Sequence, residues 1–540
     1  MNSQDALLNE IHNDLYGRSV INTCPGNTSD GTAAYTKRIL LTGGAGFIGS
    51  ALVRKLVFNY PQYFVLVIDK LDYCSSLNNL HPFLPSPTLS AQLPRPPPPT
   101  NFKFIHGDIT DCETVQTAMT AYQIDTVIHL AAQTHVDKSF GESIEFTKNN
   151  VLGAHVMLEA ARKAFSESPV LGSENGVVDT ETKADKIKRM ESKRFIYVST
   201  DEVYGEVPFG QPDCKEDAPL APSNPYSATK AAAECMVQAY HKSFHLPVII
   251  TRSNNVYGPS QYPEKIFPKF IMSLLNASTA TINSNTAAMS HLNGIDTHGK
   301  LRADFSAANG KSKSQIRSQR RTSLAGGHCF IHGSGEHSRT YLYVTDVADA
   351  LDVILHRGEV GQVYNIGAGH EINNLAFAKD LIHRMVAVPE QQQQEEEDDA
   401  EELRADGDRR GLSIGQHRHQ ETVRHLKKCM TCAERIVFVE DRAFNDRRYA
   451  VDATKLLNLG WSPKVDFEDG IQKTIDWYRD YGRSWWGDIH RALYPHSVRL
   501  SAEYDSDSAA TSTAAPSPLP SQAASPLLAA SPLRPSSPKT

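Results

Sequence analysis

The segment Arg38–Gly49 reads RILLTGGAGFIG and decides the fold of this chain. Its first five residues form an apolar run that ends in threonine, which is typical of a strand covered on both faces of a parallel sheet. The glycines that follow fit GxGxxG at Gly44, Gly46 and Gly49, and they fit GxxGxxG when Gly43 replaces Gly44. Glycines at a strand-to-helix turn let a pyrophosphate approach the backbone at a helix N-terminus. The segment therefore predicts a dinucleotide site.

An acidic residue follows this loop at the spacing that such a site requires. Asp69 stands twenty residues after Gly49 and ends a second apolar run, Phe64–Asp69. A carboxylate there can accept hydrogen bonds from the adenosine ribose and would repel a 2′-phosphate, which favours NAD over NADP as the cofactor. The cofactor contacts predicted in the loop and after the next strands are Gly43, Gly46, Phe47, Ile48, Gly49, Asp108, Ile109, Leu130, Ala131 and Ala132.

Apolar runs and helical patterns alternate through the first half of the chain. Further strands are predicted at Phe102–Ile105, Thr126–Leu130, Phe195–Ser199 and Val248–Arg252, and helices lie between them, as at Val151–Ala164 and Ala231–Phe244. This βαβ alternation predicts an α/β fold with a Rossmann-like, doubly wound parallel sheet. Short mixed elements after residue 328 predict a smaller C-terminal substrate-binding lobe.

Several segments of low complexity interrupt this pattern. Such segments bury too little apolar surface to offset the entropy of ordering the chain, so we expect them to be disordered. The predicted organisation is an N-terminal extension at 1–36, the NAD-binding domain at 37–275 with inserts at 82–99 and 172–191, a low-complexity insert at 276–327, the second lobe with the final core elements at 328–499 with an insert at 389–435, and a Ser/Pro/Ala tail at 500–540.

The composition excludes some classes of protein. A formal net charge of −7 over 540 residues gives no basic footprint for nucleic acid. No apolar run approaches the roughly 20 residues that cross a bilayer. Eight cysteines without a pairing pattern indicate reduced thiols rather than a disulfide framework. We expect a cytoplasmic protein that binds neither nucleic acid nor membrane.

A tyrosine and a lysine are placed for redox chemistry on an alcohol. Tyr226 and Lys230 are one helical turn apart and share a face. A nearby lysine cation lowers the pKa of a tyrosine, and a phenolate can take a hydroxyl proton while hydride leaves the same carbon. Ser199 ends the preceding strand, where its hydroxyl could bind the substrate oxygen. The alternative for the Tyr/Lys pair is a solvated helix face.

Two adjacent carboxylates, Asp201 and Glu202, follow the strand Phe195–Ser199. Neighbouring acids in a partly desolvated site can be held in opposite protonation states, so that one donates a proton and the other accepts one. The alternative is a helix cap. With Tyr226 and Lys230, the two carboxylates predict an enzyme that oxidises its substrate, eliminates water and reduces the product.

Further motifs complete a family resemblance. They are HLAAQTHVD at His129–Asp137, STDEVYG at Ser199–Gly205, NNVYGP at Asn254–Pro259, RTYLYV at Arg339–Val344, YNIG at Tyr364–Gly367 and NDRRY at Asn445–Tyr449. With their order and spacing, most of residues 38–497 resembles the NDP-sugar 4,6-dehydratase family of the extended short-chain dehydrogenase/reductases.

The resemblance implies a hydro-lyase that converts dTDP-glucose or UDP-glucose to the NDP-4-keto-6-deoxyglucose. Tyr226, beside Lys230, would deprotonate the C4 hydroxyl, and Thr200 would hydrogen-bond O4. Glu202 would remove the C5 proton while Asp201 protonates the leaving C6 hydroxyl. The hydride taken from C4 would be held by NAD and returned to C6.

The resemblance also implies substrate contacts and a partner. Arg339 would clamp the diphosphate, Lys265 would lie on the diphosphate side, and each contact has a surface or loop-capping residue as its alternative. A homodimer through the helices at 151–164 and around Tyr226 is expected, with core burial of these faces as the alternative. The remaining predicted substrate contacts are Thr134, Asn255, Asn365 and Asn445.

Two other functions use parts of the same pattern. A nucleotide-sugar 4-epimerase would need Tyr226 and Lys230 but has no use for Asp201 and Glu202. A non-catalytic NAD-binding regulator would use the inserts as partner surfaces. The CxxC pair Cys429–Cys432 follows three histidines at 417, 419 and 425 but lacks a second CxxC, so we predict no metal site.

Overall fold

A seven-stranded parallel sheet forms the centre of the computed structural model, which describes residues 35–81, 83–84, 99–166, 190–283, 327–367, 369–385, 432–487 and 489–493. Elements are numbered in chain order. The strands of this sheet are β1 (Lys37–Thr42), β2 (Tyr63–Asp69), β3 (Phe102–His106), β4 (Thr126–His129), β5 (Arg194–Thr200), β6 (Val248–Ser253) and β10 (Val363–Ile366).

The strand order is β10-β6-β5-β4-β1-β2-β3, and every neighbouring pair is parallel. Chain order therefore reverses between β1 and β4. In an open α/β sheet, ligands bind at the carboxyl ends of the strands beside such a reversal. This arrangement confirms the doubly wound, Rossmann-like fold that the apolar runs predict.

Helices cover both faces of the sheet. On one face, α1 (Phe47–Asn59) and α8 (Val344–Arg357) bury Leu52, Leu56 and Leu351 against β1 and β2. The other face is covered by α2 (Cys112–Ala121), α5 (Gly153–Ser166) and α6 (Pro225–Phe244). Burial on both faces is the reason that the strands read as continuous apolar runs rather than as alternating ones.

Two helices differ in extent from their sequence patterns. The helix predicted at Val151–Ala164 is α5, and it continues from a π-helical turn at Thr147–Leu152. The helix predicted from Ala231 begins at Pro225, because Asn224 caps it in a capping box with Ser227 and proline sits at its first position. Short helices α3 (Val136–Gly141) and α4 (Ser143–Phe146) precede the π turn.

Two small sheets extend the fold beyond the main sheet. One contains β7 (Asn255–Tyr257), β9 (Ser338–Tyr343) and β11 (Glu371–Asn373), and the other pairs β8 (Cys329–His332) with β12 (Ile436–Val439). Around them pack α7 (Ile266–Asn283), α9 (Asn374–Met385), α11 (Phe467–Trp486) and α12 (His490–Leu493), whereas α10 (Thr454–Leu457) packs against β10 of the main sheet.

The described residues belong to one compact unit. The chain after residue 328 supplies β10 to the main sheet as well as the small sheets, and α7 continues to Asn283, into the predicted insert at 276–327. The predicted domain boundaries stay a prediction. No helix of the described ranges is both long enough and apolar enough to cross a lipid bilayer.

Candidate active site

The loop between β1 and α1 lines one side of a cavity of about 420 Å³. Gly43 has a φ of +72°, and a Cβ there would lie 2.8 Å from the backbone nitrogen of Ala131. A Cβ on Gly49 would lie 2.2 Å from the Gly43 carbonyl oxygen. Glycine is therefore required for α1 to begin directly against the loop. Because Gly46 caps α1 without a side-chain hydrogen bond, the first-turn amides are suited to bind an anion.

Asp69 ends β2 beside this loop and also holds it. Its Oδ2 accepts a hydrogen bond from Ala45 N at 2.9 Å, and its Oδ1 accepts from Leu71 N at 2.8 Å and from Ser75 Oγ at 3.1 Å. Burial raises the pKa of Asp69, and the two backbone donors oppose the rise. A carboxylate has about four acceptor sites, so Asp69 keeps capacity for ribose hydroxyls while it fixes the loop.

The other predicted cofactor residues divide into two groups. Phe47, Ile48, Ile109, Leu130, Ala131 and Ala132 line the cavity with the glycines. Asp108 does not, because its Oδ1 accepts from the backbone and side chain of Thr110, both at 2.9 Å. Its neighbour Ile109 faces the cavity instead. We call the glycine loop, Asp69, Ile109 and residues 130–132 the cofactor-side wall.

Tyr226 and Lys230 project from α6 into the same cavity. Lys230 Nζ donates to the Val198 carbonyl oxygen at 2.6 Å, which ties α6 to the end of β5. Burial lowers the pKa of Lys230 to about 7, against the opposing charge of Glu234. In the protein without ligands, the Lys230 amine is therefore only partly protonated at neutral pH.

The pKa of Tyr226 moves opposite to our expectation. It is raised well above its usual value, first by burial and then by the charge of Glu202, while a hydrogen bond with Thr200 opposes the rise. The prediction that the lysine cation lowers the pKa of Tyr226 was wrong for the protein without ligands. Burial disfavours the Tyr226 phenolate and the Lys230 ammonium at the same time.

Asp201 and Glu202 form a 3₁₀ turn, Asp201–Tyr204, directly after β5. Glu202 lines the cavity, whereas Asp201 is 2% exposed and lies behind the cavity wall. Asp201 Oδ2 accepts from Asn254 Nδ2 at 2.7 Å, and Glu202 Oε2 accepts from Asn224 Nδ2 at 3.1 Å. Adjacent positions on a 3₁₀ helix are about 120° apart, so the two side chains leave the turn in different directions.

The two carboxyls also differ in their electrostatic surroundings. Burial raises the pKa of Asp201 to about 7, with the Glu202 charge adding to the rise and Asn254 opposing it. Burial also raises the pKa of Glu202, but the Asn224 hydrogen bond and the charges of Arg339 and Lys265 oppose it. Burial therefore raises the pKa of both carboxyls, and at Glu202 the rise is opposed by a hydrogen bond and two cationic charges.

The hydroxyl residues Ser199 and Thr200, directly before the two carboxyls in sequence, also line the cavity. The buried Ser199 Oγ has no hydrogen-bond partner among the described residues, which leaves it available to a ligand in the cavity that it lines. Thr200 Oγ1 accepts from Glu202 N at 3.3 Å and lies 3.2 Å from Asp201 Oδ1. The glycine cradle, the small residues at 131 and 132 and this unpartnered hydroxyl together fit a bound dinucleotide.

The opposite side of the cavity carries the predicted substrate residues. Thr134, Asn255, Lys265, Arg339 and Asn445 all line it. Lys265 Nζ donates to the Thr134 carbonyl oxygen at 2.7 Å, and Arg339 Nη2 donates to Asn445 Oδ1 at 3.3 Å. We call these five residues, with Arg442, the substrate-side wall.

Asn365, a predicted substrate contact, is not among the residues that line the cavity. It is fully buried in β10, and its Nδ2 donates to the carbonyl oxygens of Cys214 at 2.9 Å and Asp452 at 3.1 Å. Its Oδ1 accepts from Tyr204 at 2.8 Å. These bonds satisfy the amide and join β10 to the neighbouring loops, so Asn365 supports the fold.

Among the cavity residues that were missing from the predicted site are Arg442, Asp446 and Tyr449. Arg442 Nε lies 2.5 Å from Asp137 Oδ1. Asp446 and Tyr449 belong to the quoted NDRRY motif, which was a signal for them, whereas nothing in the sequence alone connects Arg442 to Asp137 across the chain.

The predicted absence of a metal site stays a prediction. Cys429 and the histidines at 417, 419 and 425 lie outside the described residues. Cys432 Sγ lies 3.2 Å from His383 Nε2, and no group of three candidate ligands occurs in the described part of the chain.

The fold and the cavity define a class of protein. A doubly wound sheet with a glycine loop, an acidic residue ending β2 and a Tyr/Lys pair beside the cavity is the arrangement of a short-chain dehydrogenase/reductase. The family model described as GDP-mannose 4,6 dehydratase matches residues 40–288 and 312–474. Together with the relatives below, this match confirms the resemblance: the chain belongs to the NDP-sugar 4,6-dehydratase family of the extended short-chain dehydrogenase/reductases.

Curated relatives carry two different nucleotide names. A trifunctional UDP-glucose 4,6-dehydratase/UDP-4-keto-6-deoxy-D-glucose 3,5-epimerase/UDP-4-keto-L-rhamnose-reductase of Arabidopsis thaliana is 38% identical over 87% of this chain and 51% of its own length. The chain thus spans about half of that plant protein. The dTDP-D-glucose 4,6-dehydratase of Dictyostelium discoideum is 38% identical over 85% of each chain, and that of Homo sapiens is 36% identical over 86% of this chain and 96% of its own.

A solved structure agrees with the sequence relatives. The dTDP-glucose 4,6-dehydratase DesIV of Streptomyces venezuelae, crystallised with NAD, is similar with a TM-score of 0.55 and 28% identity over 83% of this chain and 99% of that chain. A UDP-glucose 4-epimerase of Thermotoga maritima is 24% identical with a TM-score of 0.52, over 82% of this chain and 99% of that one, and therefore supports the fold alone.

Proposed function

We propose that this chain catalyses the NAD-dependent dehydration of dTDP-glucose or UDP-glucose to the NDP-4-keto-6-deoxyglucose. The observation that carries the proposal is the contrast between Asp201 and Glu202 beside Tyr226. Burial raises the pKa of Asp201 to about 7, and the pKa of the cavity-lining Glu202 is also raised, but there cationic residues and an amide donor oppose the rise. An acid and a base next to a redox tyrosine are what an oxidation, elimination and reduction sequence requires.

The residues at C4 prepare the first step. When bound, NAD accepts and returns hydride and brings a positive nicotinamide charge into the cavity. Tyr226 takes the proton of the C4 hydroxyl, and Thr200, which is hydrogen-bonded to Tyr226, orients O4. Lys230 is fixed by the Val198 carbonyl oxygen and adds positive charge beside the phenol when it is protonated. The unpartnered Ser199 hydroxyl binds ligand oxygen at the end of β5.

The elimination step divides between the two carboxyls. A ketone at C4 acidifies the C5 proton, which Glu202 removes, while Asp201 gives its proton to the leaving C6 hydroxyl. Because Asp201 lies behind the wall, its role requires its carboxyl to turn towards C6 when the sugar is bound. Returning hydride to C6 and a proton to C5 completes the reaction with no net oxidation.

The two walls would divide the ligands between them. On the cofactor side, the Gly43–Gly49 loop holds the pyrophosphate of NAD, and Asp69 accepts from the adenosine ribose. On the substrate side, Arg339 and Lys265 face the sugar-nucleotide diphosphate, for which a planar guanidinium suits paired oxygens. Asn255, Thr134 and Asn445 supply hydrogen bonds to the sugar and nucleotide.

Incubation with dTDP-glucose and NAD tests the proposal. We expect a 4-keto-6-deoxyhexose product, detected by the absorbance of its keto form in base and by mass loss of one water. A base-stable galactose product without the keto chromophore would instead support the rival 4-epimerase and overturn the proposal. Glu113→Gln, an exposed glutamate of α2, is a control that retains full activity.

A competition between dTDP-glucose and UDP-glucose decides the base. The Dictyostelium and Arabidopsis relatives have the same identity, 38%, but different nucleotide names. The ratio of the two kcat/KM values in one mixture measures the preference directly, because both substrates compete for the same free enzyme.

We also propose a homodimer through α5 and α6, in the cytoplasm. Leu152, the last residue of the π-helical turn before α5, is 48% exposed, and Phe244 at the end of α6 is 49% exposed. Exposed large apolar side chains at the ends of two packed helices suit an interface. Free thiols at Cys74, Cys112, Cys214, Cys235 and Cys329 suit a reducing compartment. Sedimentation of wild type and of Leu152→Asp tests the dimer, and a wild-type monomer would contradict it.

A further inference from the structure

The side chain of Asn254 is hydrogen-bonded to Asp201 and has no part in the steps above. Asn254 lies between β6 and β7, is 3% exposed and lines the cavity. Its Nδ2 donates to Asp201 Oδ2 at 2.7 Å. Its backbone N–H donates to the Ile366 carbonyl oxygen at 3.0 Å, which joins this point of the chain to the end of β10. The backbone thus connects the strands, and the side chain is left for Asp201.

One end of this amide is unused. Asn254 Oδ1 is buried and has no hydrogen-bond partner within the described ranges. The amide of Asn365, which supports the fold, bonds through both its nitrogen and its oxygen. A buried acceptor without a donor costs free energy, so an amide that served stability alone would be expected to pair both ends. The bond to Asp201 is therefore the feature of this side chain that needs a functional explanation.

A hydrogen bond to one oxygen of a carboxyl affects which oxygen carries the proton. In a protonated carboxyl, the hydroxyl oxygen donates and the carbonyl oxygen is the better acceptor. Because Asp201 Oδ2 accepts from Asn254, Oδ1 is the oxygen favoured for the proton. Asp201 Oδ1 lies 3.2 Å from Oγ1 of Thr200, a residue that lines the cavity. Asn254 thus favours the proton on the oxygen beside this cavity-lining residue.

The same hydrogen bond stabilises the carboxylate that remains once the proton has left. An N–H donor binds an ionised carboxyl more strongly than a neutral one. Burial raises the pKa of Asp201 to about 7, and the hydrogen bond from Asn254 opposes this rise. The amide therefore makes Asp201 a stronger acid than its burial alone would allow.

We propose that Asn254 is a positioning residue for the acid step, which holds Asp201 Oδ2 so that Oδ1 donates the proton. The inference rests on the proposed function of Asp201. In this step, the Oδ1–H bond breaks and an O–H bond forms on the C6 oxygen, while the C6–O bond breaks and water leaves. Glu202 takes the C5 proton, and the electrons of that C–H bond form the C5–C6 double bond. As the Asp201 carboxyl turns towards C6, Oδ2 keeps Asn254 as its donor.

A substrate whose C6 leaving group needs no proton tests this role. Fluoride leaves as a weak base, so dTDP-glucose with fluorine in place of the C6 hydroxyl needs the base Glu202 but no acid. We expect Asn254→Leu, which lacks the N–H donor, to lower kcat for dTDP-glucose about tenfold and to leave kcat for the 6-fluoro analogue nearly unchanged. Asp201→Asn should show the same pattern with a larger loss. Product formation from dTDP-glucose and fluoride release from the analogue measure the two rates.

Two further variants keep the outcomes apart. Asn254→Ala removes the same donor without adding bulk and should give the same ratio of the two kcat values if Asn254→Leu does not fold. Asn101→Leu removes a buried amide that donates to the carbonyl oxygens of Val57 and Tyr63, and should keep the wild-type ratio even if stability falls.

The possible failures are distinguishable. An equal loss on both substrates in the Asn254 variants would show a merely structural role and overturn the proposal, as would wild-type kinetics on both. If the 6-fluoro analogue does not rescue Asp201→Asn, Asp201 is not the acid, and the inference about Asn254 is lost with that role. Failure of the wild type to form the 4-keto-6-deoxy product overturns the proposed function itself.

Discussion

The cofactor-side wall and the substrate-side wall of one cavity are built in opposite ways. The cofactor-side wall comes from the ends of β1, β2 and β4 and the turn after β3, all within residues 43–132, and consists mainly of backbone and small side chains. The substrate-side wall consists of longer polar and charged side chains from segments that run from Thr134 to Asn445. Backbone geometry fixes the first wall, whereas tertiary packing must bring the second together.

This contrast bears on where the chain can accommodate insertions. The longest stretches between wall residues lie between Lys265, Arg339 and Arg442 of the substrate-side wall, whereas the predicted insert within the β1–β4 unit, at 82–99, is shorter. A loop inserted between distant contributors leaves each contributor's strand or helix intact, and long surface loops cost little extra entropy. An insertion between Gly43 and Gly49 would instead destroy the turn.

We expect the largest effect on turnover at Tyr226, which lines the cavity together with residues of both walls. Tyr226→Phe removes the hydroxyl that would deprotonate O4, so turnover should fall by about 10³-fold or more. NAD should still bind, because the glycine loop and Asp69 are untouched. Steady-state kinetics and NAD content after purification check the two expectations. Full activity in this variant would remove Tyr226 from the mechanism.

Glu202→Gln should block the reaction after the first oxidation. Gln cannot take the C5 proton, so overall turnover should fall about 10²- to 10³-fold. Oxidation at C4 needs only Tyr226, Lys230 and NAD, so enzyme-bound NADH should accumulate and be visible by its absorbance. If no NADH accumulates, Glu202 acts before or during hydride removal, and the separation between redox and elimination steps is wrong.

Arg339→Met tests the substrate-side wall alone. Losing a guanidinium that faces the diphosphate should raise KM for the sugar nucleotide about 10- to 100-fold with a smaller change in kcat. Arg339→Lys should recover only part, because lysine lacks the planar fork. Arg384→Met, whose side chain pairs with Asp380 on α9 at 2.9 Å, is the control. Equal kinetics for Arg339→Met and wild type would contradict the clamp.

Asp69→Asn tests the cofactor-side wall alone. Removing the negative charge should weaken NAD binding about tenfold and narrow the preference for NAD over NADP, because the repulsion of a 2′-phosphate is lost. Isothermal titration with each dinucleotide measures both. Asp111→Asn, which keeps the cap of α2, should change neither. A variant with unchanged preference would show that the charge of Asp69 does not select the cofactor.

The smallest expected effect is on stability. The pKa of Asp201 is raised to about 7 in the folded chain, so between about pH 4 and pH 7 the folded state keeps a proton that the unfolded state has released. Stability from Asp201 therefore falls as pH rises through this window and stays low above it. We expect the Tm of Asp201→Asn, compared with the Tm of wild type at the same pH, to be higher by a few degrees at about pH 8 than at about pH 5. Parallel Tm curves would contradict the raised pKa.

Local pattern was enough for much of the fold. Apolar runs predicted β1 to β6, because strands buried on both faces consist mainly of apolar residues. Local pattern failed where burial outweighs the expected effect of a neighbouring charge on a pKa. Lys230 does not lower the pKa of Tyr226, because both groups are desolvated together. It also gave no sign that the amide of Asn365 bonds to Cys214, Asp452 and Tyr204.

The sequence by itself determined the sheet, the glycine turn, the acidic end of β2 and the spacing of Tyr226 and Lys230, because these depend on neighbours within a few residues. Only the tertiary structure decided that Glu202 faces the cavity while Asp201 lies behind it, and that Arg442 and Tyr449 join the site. The 3₁₀ turn directs the two side chains differently. Burial and contacts with distant parts of the chain shift their pKa values. Patterns over a few residues of sequence therefore predict neither the directions of the two carboxyls nor their pKa values.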